Sequence, residues 1–416
     1  MSLPLRSFFV SLLAVPAFAQ DATTAAPAAK GPILLVKSTR QDVIGGLSMM
    51  LGHMDDLPVL ADGSHYELAF GGDKSVAVTT APGASAFLDL SADPAGLMTT
   101  FAEEIKRGRA MVQMGVGMGL QQAGIEPAVA KDIVAGLFDF PQQLDKLTLV
   151  ITGDPDEVRD KGMDVDLDFF AKADSGFAGV MQKLKPCSQG APAMVGESLM
   201  QMQLSLDPES LRSVLVPATD LILTLTFGAG DEHKAARETY KKWMDLYDGG
   251  MAMAFNGNGM DMLIGVLDGK QLSSILASDD YVNMLKAQGN ANRNMEMTVQ
   301  ANALEHKGNK FHKMHMEFDG PPNPFAPEGK MDMYQGAVGN YLVAGGEASV
   351  KTMADAAGES KIKRSSLAGG AVTTMTIGIE QLVGSMGGDI PDDAPRTMAL
   401  AIVPKGKNLG VHVHLK

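Results

Sequence analysis

Apolar and polar residues alternate in several parts of the chain, in short runs separated by turn residues. These runs are residues 147–152, 163–169, 251–255, 260–267, 295–304, 310–318, 397–403 and 410–415. A period of two places every second side chain on the same face, which is typical of a strand with one buried face. The runs come in pairs joined by segments rich in Gly, Asn, Asp or Pro, so the pattern predicts four β-hairpins.

Shorter strands and several helices are predicted between the hairpins. Strands are expected at residues 33–37, 65–70, 75–80 and 85–90, set apart by Gly and Pro turns. Helices are expected near 42–53, after Pro127, across 208–247 and near 379–386. A further long helix is predicted to start at Asp93-Pro94, because Asp accepts free N–H groups at a helix start and Pro is tolerated in the first turn.

An eight-residue segment occurs twice in the chain. Leu90-Ser-Ala-Asp-Pro-Ala-Gly-Leu97 returns as Leu204-Ser-Leu-Asp-Pro-Glu-Ser-Leu211, and each copy is followed by a helical pattern and then by a hairpin. Such an internal repeat indicates duplicated supersecondary units. The predicted fold class is α+β, made of internally repeated units of helix plus antiparallel β-hairpin, with the helices packed on one face of one or more antiparallel sheets.

This pattern predicts five segments along the chain. Residues 1–19 form a signal peptide, and residues 20–32 form a flexible tether rich in Ala, Thr and Pro. Residues 33–190 and 191–319 are two α+β units, and residues 320–416 are a third, diverged α+β unit. The Pro-rich stretch at 321–327 is a stiff linker ahead of that third unit.

The amino terminus predicts export. Arg6 precedes an apolar run from Phe8 to Ala14, and Ala17-Phe-Ala19 is a small-x-small cleavage site. These three parts are typical of a Sec-type signal peptide, with cleavage after Ala19 and a periplasmic or secreted product. No later segment has the ~18 consecutive apolar residues of a spanning helix, so we expect a soluble protein that does not span the membrane. The one cysteine, Cys187, leaves no partner for an intramolecular disulfide.

The charge of the chain argues against nucleic acid as a partner. The formal net charge is −14, with 49 acidic and 35 basic residues. A surface of this sign repels a phosphate backbone. The densest basic segment is Lys361-Ile-Lys-Arg364, which is shorter than a typical nucleic-acid-binding run.

Methionine is unusually frequent, and its spacing carries three interpretations. The chain has 29 Met residues, many of them as Met-x-Met within the alternating runs. Thioethers bind Cu(I), and flexible Met side chains also suit pliable binding surfaces. In a strand, however, residues two apart share a face with the other apolar side chains, which favours core packing. If the methionines do form a binding surface, the candidates for contact with an apolar ligand are Met251, Met253, Met260 and Met262.

Histidine and aspartate residues supply weaker candidates for metal ligands. His412 and His414 lie two apart in the last alternating run, and His315 lies in another hairpin. A stable divalent-metal site needs three or four ligands, and nothing in the sequence supplies the third with this pair, so no metal or cofactor is predicted. The segment from Asp164 to Asp168 imitates the start of a calcium loop but lacks the Gly and Glu such loops need, so it is interpreted as a strand.

The common catalytic signatures are mostly absent from the sequence; Ser360-Lys-Ile-Lys363 fits S-x-x-K but lacks the companion motifs S-D-N and K-T-G. The patterns G-x-S-x-G, H-E-x-x-H and the phosphate-binding G-x-x-x-x-G-K-[ST] are missing. We therefore expect an exported, soluble, non-catalytic binding or scaffold protein of the bacterial periplasm, which offers sheet surface or edges to a protein partner. One alternative is a carrier that holds an apolar, lipid-like small molecule in a Met-lined groove. The less favoured alternative is an enzyme whose catalytic residues come together only in the fold.

Overall fold

A computed structural model of the chain describes most of its residues. The described ranges are 32–50, 59–61, 65–71, 86–103, 105–106, 135–136, 138–194, 198–213, 234–256, 259–290, 295–318, 329–385, 388–392 and 394–416. Several predictions fall outside them: the signal peptide, nearly all of the tether, the strand at 75–80, the start of the helix after Pro127 and the linker at 321–327.

Strands make up most of the regular structure. They are β1 (Leu34–Ser38), β2 (Val59–Ala61), β3 (His65–Phe70), β4 (Ala86–Ala92), β5 (Leu144–Thr152), β6 (Met163–Ala171), β7 (Ala191–Pro192), β8 (Met200–Ser205), β9 (Tyr247–Asn256), β10 (Gly259–Val266), β11 (Met295–His306), β12 (Asn309–Phe318), β13 (Lys330–Val338), β14 (Tyr341–Gly345), β15 (Arg364–Ser365), β16 (Thr373–Gly378), β17 (Thr397–Lys405) and β18 (Asn408–Leu415). All four predicted hairpins are confirmed, as β5–β6, β9–β10, β11–β12 and β17–β18.

Residues 214–233 of the helix region predicted across 208–247 lie outside the described ranges, as do residues 51–53 of the helix predicted near 42–53. The following helices have bounds within the described residues. They are α1 (Gln41–Met50), α2 (Pro94–Thr100), α3 (Val158–Lys161), α4 (Gly176–Met181), α5 (Lys234–Met244), α6 (Gly269–Leu276), α7 (Asp279–Asn290), α8 (Glu347–Gly358) and α9 (Ile379–Ser385). Among the described residues, no helix has both the length and the apolar character needed to cross a bilayer.

The described chain divides into two compact units. The middle unit is Lys183–Ile390, and the terminal unit combines the described residues before it with Pro391–Lys416. In the terminal unit, neighbouring strands follow the order β2-β3-β1-β4-β5-β6-β18-β17, with antiparallel pairing throughout. In the middle unit the order is β11-β12-β13-β14-β10-β9-β8-β16, also antiparallel, and β7 pairs with β15 in a small second sheet.

The repeat seen in the sequence is present in both units. Asp93 caps α2 by accepting from the Gly96 N–H at 2.9 Å, and Asp207 accepts from the Ser210 N–H at 3.0 Å. The strand before each Asp-Pro pair lies beside the first strand of the following hairpin, in the orders β4-β5-β6 and β8-β9-β10. The predicted duplication of this connectivity is therefore confirmed.

The structure extends the repeat beyond what the octapeptide shows. β1 lies beside β4 and β16 lies beside β8, and each is followed by a helix, α1 or α9. A later hairpin lies beside the third strand in each unit, with β18 next to β6 and β14 next to β10. Six strands therefore share one spatial order, β1-β4-β5-β6-β18-β17 in the terminal unit and β16-β8-β9-β10-β14-β13 in the middle unit.

The predicted α+β fold class, with helices packed on one face of the sheet, is wrong. Antiparallel sheet dominates both units, and the described helices reach at most 12 residues. In the middle unit helices also lie on both faces of the sheet. The reason is visible in β9, where Ala252 and Ala254 are buried between the methionines, 0% and 5% exposed. These small side chains allow a second layer to approach the face that alternation alone would assign to solvent.

Each unit has its own apolar core. In the terminal unit, Leu34 and Val36 of β1 pack with Ile44 of α1 and with Leu68 and Phe70 of β3. In the middle unit, the core on one sheet face joins Leu263 and Val343 to Val350 and Met353 of α8.

Candidate functional site

Aliphatic side chains occupy part of one face of the terminal unit's sheet. The register aligns Leu149, Leu167, Val411 and Ile402 across β5, β6, β18 and β17, and cross-strand partners share a face. The neighbouring sets of cross-strand partners on the same four strands extend this surface. We call this surface the aliphatic face, and it consists of Leu149, Ile151, Val165, Leu167, Met398, Leu400, Ile402, Val411, Val413 and Leu415. All of these side chains are half-buried.

Packed apolar clusters border the aliphatic face. On the β4 side, Leu88 and Leu90 pack against the core that α1 and α2 cover. At one end, Phe169 of β6 lies 5.9 Å from Phe140 between ring centroids, and Phe140 meets the edge of Phe177 at 5.0 Å. Phe177 belongs to α4 and is only 2% exposed. The half-exposed aliphatic side chains therefore lie between packed regions of the same sheet.

The corresponding face of the middle unit carries the methionines. Met375, Met202, Met253 and Met262 face one another across β16, β8, β9 and β10. The predicted apolar-ligand candidates all lie on this face: Met251 is 6% exposed, Met253 0%, Met260 3% and Met262 3%. The structure thus brings these four residues together, and it places them inside a packed core.

A histidine is buried on the same methionine face. His312 of β12 pairs with Gln335 of β13, and its imidazole Nε2 donates to the Leu276 carbonyl of α6 at 2.8 Å. Its Nδ1 accepts from the Asn302 N–H at 3.4 Å. Burial lowers the pKa of His312, although its bond to the Leu276 carbonyl acts in the opposite direction. Both ring nitrogens are engaged, so this histidine holds α6 to the sheet.

The histidines first considered as metal ligands pair with carboxylates. His414 Nδ1 lies 2.7 Å from an Asp164 oxygen, and His412 Nδ1 pairs with Asp166 in the next row. Lys405 continues the series, 2.7 Å from Asp168. These pairs lie on the polar face of β6 and β18, opposite the aliphatic face, and the calcium-like segment at 164–168 is a strand, as predicted.

His315 belongs to a separate cluster in the middle unit. Its Nδ1 lies 2.6 Å from Asp332 and its Nε2 lies 3.1 Å from Glu317. Hydrogen bonds to Asp332 and then to Glu317 raise the pKa of His315. The structure does not gather His315, His412 and His414 into one cluster. Within the described residues, no group of three or more His, Cys, Asp or Glu side chains has a geometry suited to a metal ion.

The middle unit contains one buried ion pair that the sequence pattern did not predict. Arg364 of β15 bonds both carboxylate oxygens of Asp248 in β9, at 2.6 and 3.0 Å, and donates to the Gly190 carbonyl at 2.9 Å. Two glycines make room for it: a Cβ on Gly265 would lie 2.3 Å from the Asp248 oxygens, and one on Gly250 would lie 2.1 Å from Arg364. The segment Asp248-Gly-Gly250, which interrupts an apolar strand, is the sequence signal for this pair.

Comparison of the chain with protein-family models, with curated proteins and with solved structures gives no match. Its function is therefore argued from the surfaces described above. Of these, the aliphatic face differs most from its counterpart, because its apolar side chains are half-buried while most of the equivalent side chains of the middle unit are buried.

Proposed function

We propose that this chain is an exported, non-catalytic binding protein that holds a protein partner against the aliphatic face. The observation that carries the proposal is the half-burial of ten aliphatic side chains on β5, β6, β17 and β18. Apolar patches that the fold leaves incompletely buried can mark interaction sites in folded proteins. Covering it gains roughly 25 cal/mol for each Å² of apolar area removed from water.

The polar side of the same sheet supports binding over chemistry. Its carboxylates at Asp164, Asp166 and Asp168 pair with His414, His412 and Lys405. These pairs connect β6 to the β17–β18 hairpin and engage the charged groups with one another. The aliphatic face itself is built from hydrocarbon side chains and one thioether, which provide contact area without an acid, base or nucleophile.

A carrier of an apolar small molecule is the second candidate, and the same face favours it over the methionine cluster. Met251, Met253, Met260 and Met262 are at most 6% exposed, so a ligand there would displace packed side chains. The side chains of the aliphatic face are only half-buried, so a ligand there would displace fewer packed groups. Both candidates thus use one surface and differ in the nature of the bound molecule.

Native mass spectrometry of the mature protein, purified from the periplasm of its own source, tests the proposal. We expect a mass increment of polypeptide size on the wild-type protein, and a lipid-sized increment would identify a carrier instead. Val413→Asp, on the aliphatic face, should abolish the increment. Val150→Asp is the matched control, because Val150 is half-buried on the opposite face of the same sheet. An increment retained in Val413→Asp, or missing from the wild type, would contradict the proposal.

A further inference from the structure

Two aspartate–histidine pairs lie side by side on the polar face of the terminal unit's sheet. His412 and His414 are two residues apart in β18 and therefore lie on the same face of that strand. The register of β6 places Asp166 opposite His412, and it places Asp164 opposite His414. Each imidazole bonds the carboxylate opposite it through Nδ1, at 2.7 Å in the second pair. The same arrangement of side chains thus occurs twice at neighbouring positions of one face.

These pairs determine which nitrogen of each histidine can bind a cation. A carboxylate only accepts hydrogen bonds, so each neutral imidazole has its proton on Nδ1 and its free lone pair on Nε2. Within the part of the chain that the structure describes, neither Nε2 atom has a hydrogen-bond partner. Histidines that bind a metal through one nitrogen commonly donate the other N–H to a carboxylate, which orients the ring and raises its basicity. Both histidines therefore have the arrangement of metal ligands.

Small residues leave space beside the two imidazoles. On the side away from β6, β17 places Ala401 opposite His412, and it places Ala399 opposite His414. A Cβ on Gly162 would lie 3.1 Å from Cε1 and 3.5 Å from Nε2 of His414, so a larger residue there would crowd that edge of the ring. The side chains of His412 and His414 are 36% and 49% exposed. Solvent thus reaches these side chains, and their neighbours leave room for a cation with its water ligands.

A different histidine shows what a pairing without a free nitrogen looks like. His315 of the middle unit is also partly exposed and also lies among carboxylates. Its Nδ1 bonds Asp332 and its Nε2 bonds Glu317, so both ring nitrogens are engaged. His312 likewise uses both of its ring nitrogens, as described above. Proximity to a carboxylate is therefore not enough, and His315 provides a matched control.

The middle unit has no such pair at the position equivalent to His412. The shared strand order equates Leu149 with Met251, because each pairs with the first residue of the repeated octapeptide. Followed across the next strands, this register makes Leu263 and Val343 the counterpart of the His412 pair. Both are 0% exposed in the core that includes α8. The sheet itself therefore does not require an aspartate–histidine pair, which is a feature of the terminal unit.

The geometry points to a surface site for one divalent cation of the zinc and copper(II) class, bound jointly by the Nε2 atoms of His412 and His414. Imidazole suits these metals, whereas carboxylate and carbonyl oxygens suit Ca²⁺ and Mg²⁺. Residues two apart on a strand are separated by about 7 Å. Two imidazoles can converge across that distance on one cation, at about 2.0–2.1 Å from each nitrogen.

The carboxylates and the small number of protein ligands define the character of this site. Asp164 and Asp166 orient the imidazoles and place negative charge beside the cation. Water fills the remaining positions, so the cation exchanges more readily than in a structural site with three or four protein ligands. The site lies on the face of the sheet opposite the aliphatic face, and the inference does not depend on the proposed function.

Electron paramagnetic resonance of the full mature chain, titrated with Cu²⁺, tests the inference because the spectrum counts the nitrogen ligands. We expect one tightly bound equivalent with two imidazole nitrogens. His412→Gln and His414→Gln should each lower the affinity about tenfold or more, and Asp166→Asn, which keeps an accepting oxygen but removes the charge, should lower it about tenfold. His315→Gln should change neither the affinity nor the spectrum.

Protection of the wild-type chain from chemical modification is a second measurement, which requires no variant. Diethyl pyrocarbonate modifies accessible imidazole nitrogens, and peptide mass spectrometry identifies the modified histidines. Zn²⁺ should protect His412 and His414, and an excess of Ca²⁺ should not. Wild-type affinity in either Gln variant at these two positions, or an equal loss in His315→Gln, would overturn the inference. Equal protection by Ca²⁺ would also overturn it, because the carboxylates alone would then hold the cation.

Discussion

Asp248 and Arg364 form a two-point ion pair inside the middle unit, where their side chains are 5% and 15% exposed. The pair connects the strand β9 to the small β7–β15 sheet, since Arg364 also bonds the Gly190 carbonyl. Without the Asp248 carboxylate, the buried Arg364 guanidinium would carry a large desolvation penalty.

Removal of that carboxylate should therefore destabilise the protein strongly. We expect Asp248→Ala to lower the free energy of unfolding by about 3–5 kcal/mol, because it leaves a buried charge unpaired. Asp164→Ala is the matched control, since it breaks an exposed pair with His414 and should cost less than about 1 kcal/mol. Urea denaturation of both variants measures the difference, and similar losses would contradict this account of Asp248.

Two histidines of β12 should affect stability in opposite directions as pH changes. The pKa of His312 is lowered by burial from 6.5, so the unfolded chain binds its proton more readily. Its contribution is fully present above pH 6.5 and is lost as pH falls toward the folded pKa. The pKa of His315 is raised from 6.5 by Asp332 and Glu317, so its contribution is present below pH 6.5 and is lost as pH rises through the folded value.

The melting temperature between pH 5 and 8 checks this pair of predictions. His312→Asn should remove the part of the decline below pH 6.5 that this residue causes. His315→Asn should remove the small stabilisation that this residue gives below pH 6.5, together with its loss as pH rises through the folded value; the effect is small because the partly exposed side chain is screened by solvent. If the melting temperature of His312→Asn declines below pH 6.5 as steeply as that of the wild type, this histidine does not cause the loss of stability at low pH.

The methionines of the sheet should behave as core residues. Met314 is 2% exposed, so Met314→Ala should cost about 2–5 kcal/mol through lost burial and the cavity left behind. Met398 of the aliphatic face is half-buried, and Met398→Ala should cost less. Thermal unfolding with and without Cu(I) completes the test. Stabilisation of the wild type by copper, together with an unaffected Met314→Ala variant, would favour the metal interpretation.

The Asp-Pro caps should contribute equally in the two units. Asp93 and Asp207 each accept a backbone N–H from the residue three positions on, so Asp93→Ala and Asp207→Ala should each cost about 1 kcal/mol. The Asn variants keep the accepting oxygen and should retain most of that stability. If chemical denaturation shows no loss for either Ala variant, the caps do not stabilise these helices.

Local patterns of the sequence were enough to predict the hairpins and their repeat. The alternation at Met163 to Phe169 defines a strand whatever its neighbour is, and Asp-Pro defines a helix start from two residues. The pairing of β6 with β18 could not be predicted in this way, because His412 and Asp166 are 246 positions apart. Alternation identifies the apolar face of each strand and leaves its partner open.

Burial was harder to predict than strand identity. Leu149 and Met251 occupy equivalent strand positions, yet one is half-buried and the other is 6% exposed. Alternation along a strand does not say which helices from elsewhere in the chain pack on its apolar face, as α6 packs on β13 and β14. The aliphatic face could therefore be recognised only once the two sheets were compared.

The strand order of the terminal unit determines how late in translation its sheet can be completed. β18 pairs with β6, but the whole of Lys183–Ile390 is translated between them. Until the β17–β18 hairpin emerges from the ribosome, one edge of β6 has unpaired backbone groups that can recruit other chains. The middle unit has its own strands complete by Gly378 and is free to fold first. The amino-terminal part of this sheet is therefore completed late, and a chaperone that binds the unpaired edge of β6 in the meantime would protect the chain from aggregation.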